Sequence, residues 1–176
     1  MRKTLIILLI AIALAGCVEE QEEGEILTPE AEHISPPSSN IIEGLSYVSL
    51  GFCLWKNWDR DPEPDGIQIE WISFYDEKNN LITFHNIPVI VEIKIYSQRW
   101  DDEKLDFVRN NLVYHGNVTI TSSEDIIRIP KEDIAPDPSA LDAMGEVWKW
   151  GEMDVAVHTP AQGTFYAETE IVQIYD

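Results

Sequence analysis

The sequence predicts an all-β domain, an antiparallel β-sandwich of the immunoglobulin-like kind with about eight strands. Apolar and polar residues alternate with a period of two in several short runs, as they do in strands with one buried face. Polar or proline-containing turns separate these runs, and helical periodicity is rare. The chain has 176 residues, 44% of them hydrophobic, which suits one domain and a tail. We place the domain at residues 43–176.

The clearest strand pattern lies at residues 89–96, where apolar residues occupy the odd positions and Glu92 and Lys94 lie between them. The same alternation predicts further strands, which in chain order cover residues 48–54, 67–71, 81–84, 112–121, 125–129, 154–158 and 164–174. The polar run at residues 76–80 predicts a hairpin over residues 67–84. Residues 160–163 predict a turn between the last two strands.

Two segments have helical signals. Residues 101–111 predict a short helix. Residues 137–145 combine a capping residue, Asp137, with a proline in the first turn and a glycine at the end, which is the order that favours a short helix. A plain loop is the alternative for this second segment.

The first residues of the chain form a pattern of their own. Arg2 and Lys3 precede a short apolar run, and Leu14-Ala15-Gly16-Cys17 follows it. This order is typical of a secretory signal peptide, and the four-residue motif resembles the lipobox of prokaryotic lipoproteins. The resemblance implies that residues 1–16 are removed and that Cys17 carries a thioether-linked diacylglycerol. An uncleaved membrane span is the alternative, but the run is shorter than the ~20 residues that crossing requires.

A lipid on Cys17 predicts a protein held at the extracytoplasmic face of the cell membrane. Two acyl chains on one sulfur supply the second signal that stable anchoring needs. Residues 17–42 contain this cysteine and a stretch rich in glutamate, serine and proline, which predicts a disordered stalk. Cys53 then has no partner for a disulfide within the chain, and its apolar neighbours predict a buried, inert thiol.

The net charge of the chain excludes some classes of binding partner. There are 12 lysines and arginines against 32 aspartates and glutamates, so the formal net charge is −20. This balance argues against nucleic acid, whose phosphates need a basic surface, and against lying flat on anionic lipid. We therefore expect two partners, the membrane through the lipid and an unidentified envelope protein or glycan. The charge also serves solubility, whatever the partner.

Three runs in the predicted domain carry a resemblance to a group of known proteins. They are Asp65-Gly66-Ile67 through Phe74-Tyr75-Asp76, the run from Val91 to Tyr96, and the run from His158 to Phe165. Together they resemble small uncharacterised β-sandwich lipoproteins of archaea. The resemblance implies the fold and the location, and it implies no activity.

One loop is a candidate calcium site. Four carboxylates stand there at every second position: Asp59, Asp61, Glu63 and Asp65. Oxygen ligands with this spacing, followed by Gly66, are frequent in calcium loops. With Asp61 as the first ligand, however, the twelfth position is Ile72 instead of the glutamate such a loop needs. A solvated turn is the alternative, so we expect no cofactor, with calcium as the one candidate.

Tryptophans provide a second candidate site. Four of them are candidates for ligand binding: Trp55, Trp58, Trp148 and Trp150. Indole rings form platforms that stack on sugars, and they also fill sandwich cores, so both interpretations stay open. On a strand, Trp148 and Trp150 would point to the same face. Gly151 predicts a bulge that turns one of these indoles outward.

Asn117-Val118-Thr119 is a glycosylation sequon, and Asn117 is a candidate acceptor in an archaeal host. An ordinary outward-facing asparagine is the alternative. His85, His115 and His158 lack the spacing of metal ligands, and the chain has no Gly-x-Ser-x-Gly motif.

The sequence therefore predicts a lipid-anchored, non-enzymatic binding or scaffold module of the envelope. The first alternative is a calcium-dependent or carbohydrate-binding module whose site is the acidic loop with the neighbouring tryptophans. The second is an envelope enzyme whose site assembles from scattered residues.

Overall fold

The computed structural model describes residues 41–59 and 61–175. The predicted signal peptide at residues 1–16, the predicted lipidation site Cys17, and the predicted stalk as far as residue 40 lie outside the described residues. Within the described part, Lys131–Asp133 forms a short 3₁₀ turn and all other regular structure is strand. No helix in this part has the length and apolar character that a membrane crossing demands.

Eleven strands account for the described fold. In chain order they are β1 (Tyr47–Leu50), β2 (Cys53–Lys56), β3 (Gly66–Ile69), β4 (Ile72–Tyr75), β5 (Leu81–Ile82), β6 (His85–Asp101), β7 (Asp106–Ser122), β8 (Ile127–Pro130), β9 (Trp150–Thr159), β10 (Gly163–Tyr166) and β11 (Glu170–Gln173). They form a sheet in the order β1-β4-β5, a second in the order β2-β3-β8, and a five-stranded sheet in the order β10-β9-β6-β7, in which β11 also pairs with β9. Every pairing is antiparallel.

The two three-stranded sheets share one long, bent hairpin. β1 pairs with β4, and β2 pairs with β3. At the bend the backbone bonding continues, because Gly51 N–H donates to the Trp71 carbonyl (3.0 Å) and Glu70 N–H donates to that of Phe52 (3.0 Å). The predicted hairpin over residues 67–84 is therefore formed by β4 and β5 alone, since β3 belongs to the other sheet.

β6 and β7 form a hairpin of two 17-residue strands. The helix predicted at residues 101–111 is wrong, because these residues form the end of β6, a tight turn and the start of β7. The Asp101 carboxylate accepts the backbone N–H groups of Glu103 (3.0 Å) and Lys104 (3.1 Å), and Leu105 takes a positive φ of 53°. These local bonds turn the chain back on itself before a helix can begin.

The register between β6 and β7 shifts between Ile95 and Tyr96 and again between Tyr96 and Gln98. The predicted bulge at Gly151 is wrong, because Gly151 lies in regular register between Ser97 and Val172. The glycine serves a different purpose. A Cβ at residue 151 would lie 2.4 Å from the Tyr96 carbonyl oxygen, so only glycine permits this approach of β6 to β9.

Inward-facing side chains of all three sheets meet in one core. Its largest fully buried members include Phe74, Ile67, Ile69, Ile93, Ile95 and Met153. Ile42 also packs into this core, and its backbone N–H and carbonyl bond the Gln162 side chain (2.8 and 3.0 Å). The predicted antiparallel β-sandwich is confirmed, while its immunoglobulin-like arrangement stays a prediction. The strands outnumber the predicted eight because long runs such as residues 48–54 are divided at bends.

The segment at residues 137–145 is a loop, which agrees with the second of its two interpretations. It is held by the Asp137 carboxylate, which is buried and accepts hydrogen bonds from the side chains of Ser97, Asn110 (2.9 Å), Asn111 (3.2 Å) and Ser139 (2.6 Å). The second register shift places Asn110 and Asn111 opposite Ser97, so both amides reach this one carboxylate. Burial raises the pKa of Asp137, but these hydrogen bonds outweigh burial and lower the pKa to about 2.

We expect Asp137→Asn to lower the free energy of unfolding by about 2–3 kcal/mol at pH 7, because the new amide cannot accept all of the converging donors. The pKa of Asp137 is lower in the folded chain than the ordinary 3.8, so its contribution is complete above pH ~4 and is lost as the pH falls through about 2. Urea unfolding at several pH values measures this, and the difference from wild type should narrow in acid. Asp142→Asn is the control, since the Asp142 carboxylate accepts hydrogen bonds from the N–H groups of its own turn, those of Met144 and Glu146. Equal losses for both variants would contradict the expectation.

Candidate functional site

The five-stranded sheet presents one face to the core and one to solvent, and we call the second the outer face. On β6 the buried Val91, Ile93 and Ile95 alternate with Glu92 and Lys94, which point outward. The outward residues of this sheet include Ile90, Glu92, Lys94, Tyr96, Gln98, Trp100, Phe107, Arg109, His115, Asn117, Glu152, Asp154, Ala156, His158, Thr164 and Tyr166. The side chains of Lys94 and Arg109 at its centre keep 37% of their surface exposed, so the face is open to a ligand.

Arg109 is the centre of a hydrogen-bonded network on this face. Its Nε donates to Glu152 (2.7 Å), and its two terminal nitrogens donate to both oxygens of Asp154 (2.6 and 2.8 Å). The guanidinium carbon lies 4.3 Å from the centre of the Tyr96 ring, which is a cation–π contact. The hydroxyl of Thr169 donates to Oδ1 of the same Asp154 carboxylate (2.8 Å). The planar guanidinium is held by carboxylates along two edges and stacks on the Tyr96 ring, so it has little freedom to move.

An aromatic cluster closes one end of the outer face. The rings of Phe107 and Trp148 stack with centroids 3.8 Å apart, and Trp100 meets Phe107 edge-on at 5.3 Å. The Trp148 indole N–H donates to Gln98 (3.4 Å), whose amide donates to Glu152 (3.1 Å). The cluster therefore continues directly into the Arg109 network.

A second polar cluster surrounds Glu92. Its carboxylate accepts from Lys94 Nζ (2.7 Å) and from His115 Nε2 (2.8 Å), and it lies 3.3 Å from His158 Nε2. These partners come from three neighbouring strands. Hydrogen bonds from Lys94, then His115, and more weakly His158, lower the pKa of Glu92 to about 2. His158 is fixed further through Thr164, whose hydroxyl lies 2.8 Å from Nδ1.

A cleft of about 370 Å³ lies between the two networks. Glu92, Lys94, Tyr96, Asp154, Tyr166 and Thr169 line it. At its floor, Ala156 is in register with Glu92 on one side and with Tyr166 on the other. The small alanine leaves a gap between the larger side chains of its two neighbours, and Tyr166 stays 76% exposed.

Three of the four carboxylates of the acidic loop accept hydrogen bonds from the loop's own backbone. Asp65 accepts the N–H groups of Trp58 and Asp59 (3.2 Å), Asp59 accepts that of Asp61 (3.0 Å), and Asp61 accepts that of Glu63 (2.8 Å). Glu63 also pairs with Lys131 (3.1 Å). Within residues 41–59 and 61–175, no three His, Cys, Asp or Glu residues form a group able to hold a metal ion. The arrangement is typical of a turn stabilised by side-chain caps.

The four tryptophans that the sequence offers as ligand-binding residues lie in different parts of the structure. Trp55 packs against the core, and Trp58 lies under the Arg128 guanidinium, 5.4 Å from its centre. Trp148 joins the aromatic cluster described above. Trp150 begins β9 with 40% of its surface exposed, and strand alternation places it on the outer face. Only the second pair therefore belongs to the candidate site.

Asn117 is exposed on β7 and lies in register with Glu92, so its side chain shares the outer face. The sequon does not coincide with either polar network. Cys53 is half-buried, and desolvation raises the pKa of its thiol to about 12, in agreement with an inert group.

One pair resembles part of a hydrolytic site. Ser122 Oγ lies 3.0 Å from His85 Nδ1 at the end of the β6–β7 hairpin. In a catalytic triad a carboxylate bonds the other ring nitrogen. The nearby Asp125 instead accepts the backbone N–H groups of Thr121 (2.7 Å) and Ser122 (3.1 Å). This arrangement therefore caps a hairpin end.

Sequence reasoning missed Arg109, Tyr96, Asp154 and Tyr166, which form most of the site. A signal existed, because Glu92 and Lys94 interrupt an otherwise apolar strand at outward positions. The positions opposite them on β7 and β9 depend on two register shifts, which the sequence does not reveal.

Comparisons with known proteins add no name to this site. No family model, no curated protein and no solved structure matches the chain.

We expect the Glu92 carboxyl to titrate with a pKa of about 2, as measured by carbon-13 NMR of the side-chain carboxyl group. Lys94→Met should raise this pKa most, because Lys94 makes the strongest contact, and His115→Gln should raise it less. The pairing stabilises the fold above pH ~4.5 and is lost as the pH falls through about 2, since the folded pKa is the lower one. Glu124, which has no contact with this cluster in the described residues, is the reference carboxyl. A Glu92 pKa unmoved by Lys94→Met would refute the network.

Proposed function

We propose that this chain is a lipid-anchored, non-enzymatic binding module at the extracytoplasmic face of the cell membrane, and that the outer face is its binding surface. The observation that carries this proposal is the Arg109 network. It holds aromatic and charged side chains in fixed positions while leaving them accessible to solvent.

Fixed side chains favour binding because little conformational entropy is lost when a ligand arrives. Tyrosine, tryptophan and arginine are also the residues that contribute most at binding surfaces. The outer face combines Arg109 with Tyr96, Tyr166 and Trp150, of which Tyr166 and Trp150 remain well exposed.

The anchor determines which ligands the module can meet. A diacylglycerol on Cys17, the residue that ends the lipobox-like motif, would keep the domain next to the envelope. The partner is then an envelope protein or a glycan. The net charge of −20 makes nucleic acid a poor ligand.

The two alternatives have less support. The acidic loop already uses its carboxylates as acceptors for its own backbone, so a calcium ion would have to compete with those bonds. An enzyme that works by covalent catalysis would need an activated nucleophile. The Ser122–His85 pair has no carboxylate among its described partners, and the high pKa of Cys53 keeps its thiol protonated at neutral pH.

We expect Cys17→Ser to move the protein from the membrane fraction to the soluble fraction in a host that processes lipoproteins, because the variant has no thiol to acylate. Detergent phase partitioning measures this, and mass spectrometry of the wild-type amino terminus should find a lipid-modified Cys17. Cys53→Ser is the matched control and should stay with the membrane. A wild-type product that retains Met1 and an unmodified thiol would overturn the anchor.

We expect Lys94→Glu to weaken binding of the detergent-solubilised full chain to envelope fragments of its own organism at least tenfold. A third carboxylate beside Glu92 and Asp154 would disrupt both networks of the outer face. Co-sedimentation measures the binding. Lys78→Glu makes the same charge change in the exposed turn before β5 and should leave binding unchanged, and melting temperatures should show that both variants are folded. Equal binding by the two variants would remove the outer face as the binding surface.

A further inference from the structure

The cleft on the outer face has the size of a small-molecule site. Its volume of about 370 Å³ falls in the range of ~300–1,000 Å³ that such sites occupy. Across three neighbouring strands, Glu92, Ala156 and Tyr166 stand in one row. Strands are ~4.8 Å apart, so a carboxylate and an aromatic ring face each other across a gap of about two strand spacings. Only a methyl group fills the floor between them.

The lining groups offer both donors and acceptors. Glu92 and Asp154 accept hydrogen bonds, and the ammonium of Lys94 donates them. Thr169 contributes a hydroxyl that already donates to Asp154 and can still accept. A ligand hydroxyl both donates and accepts, so groups of this kind can satisfy several hydroxyls around one ring.

The charges of the cleft are already paired. Lys94 bonds Glu92, and Arg109 holds both oxygens of Asp154. An anionic ligand would meet these two carboxylates, and a cationic ligand would have to displace Lys94 or Arg109 from them. The carboxylates repel the anionic ligand, and the cationic ligand breaks one ion pair in order to form another, so neither charged ligand gains a net ion pair by binding here. An apolar ligand would cover these charges without replacing their water.

A neutral ligand rich in hydroxyl groups avoids each of these penalties. It can bond the free lone pairs of the carboxylates without breaking an ion pair. Tyr166 supplies the remaining feature, because its exposed ring presents a negative π face that packs against the C–H groups of a saturated ring. We therefore propose that the cleft between Glu92 and Tyr166 binds a neutral saccharide. This inference rests on the proposed function, since it names the ligand class of the same surface.

The test uses the full chain in detergent micelles and isothermal titration calorimetry. The probes are neutral tetrasaccharides of glucose, mannose and N-acetylglucosamine, with tetragalacturonate as the anionic probe and tetralysine as the cationic one. We expect at least one neutral tetrasaccharide to bind and neither charged probe to bind. Tyr166→Ala should weaken that binding at least tenfold. Phe52→Ala is the matched control, because Phe52 is also an exposed aromatic residue (67%) but lies at the bend of the first hairpin.

Binding of no neutral probe, or of a charged probe alone, would overturn the inference. Binding that Tyr166→Ala leaves unchanged would also overturn it, because the sugar would then lie elsewhere. The envelope measurement with Lys94→Glu separates this failure from that of the proposed function. If Lys94→Glu abolishes envelope binding and no saccharide binds, the outer face remains a binding surface and its ligand belongs to another class.

Discussion

The side chains of β6 alternate between the buried core and the solvent-exposed outer face. This alternation is the constraint on which the rest of the structure depends. This strand pairs with β7 on one side and with β9 on the other, and its odd residues from Val89 to Ile95 are wholly buried. A register slip of one residue would place Glu92 and Lys94 in the core and expose a row of isoleucine and valine. The burial of charge makes such a slip very unfavourable. The core therefore fixes the register, and the register fixes which side chains meet on the opposite surface.

The outer face is a consequence of that fixed register. Arg109 reaches Asp154 and Glu152 across the width of β6, and Tyr96 lies beneath its guanidinium. The same positions on a mobile loop would have to lose conformational freedom before they bound anything. The register shifts of β7 have a separate effect in the first half of that strand, where they position two amide side chains. There they turn Asn110 and Asn111 toward Asp137, which holds the loop that carries Trp148 over Phe107.

The strands with a clear period of two could be predicted, since residues 89–96 and 154–158 belong to β6 and β9. Burial on one face produces that pattern directly. The bend at Gly51 could not, because Gly51 lies against the indole of Trp71, twenty residues away along the chain, and a Cβ there would lie 2.4 Å from Nε1. The helix expected at residues 101–111 failed because the Asp101 carboxylate starts a turn there. Phe107 and Arg109, which follow this turn, then pack across the sheet, and such tertiary contacts override local preference. The outer face has the same limit. The sequence shows that Glu92 and Lys94 point outward, but it does not show which residues of β7 and β9 they contact, because those contacts depend on the tertiary register.

The distribution of charge connects the fold to its proposed role. Along the strands of the outer face there are three carboxylates, Glu92, Glu152 and Asp154, against two cations, Lys94 and Arg109, so this surface carries −1 of a chain total of −20. On the membrane that we propose for it, neighbouring copies of so acidic a protein would repel one another, although this repulsion is screened beyond ~8–10 Å. A nearly neutral surface on an acidic body is suited to a ligand without charge. Such a ligand feels no long-range force from the remainder of the chain, so only the local geometry of the cleft can select it. The fixed positions of Arg109 and Asp154 are then what selectivity requires.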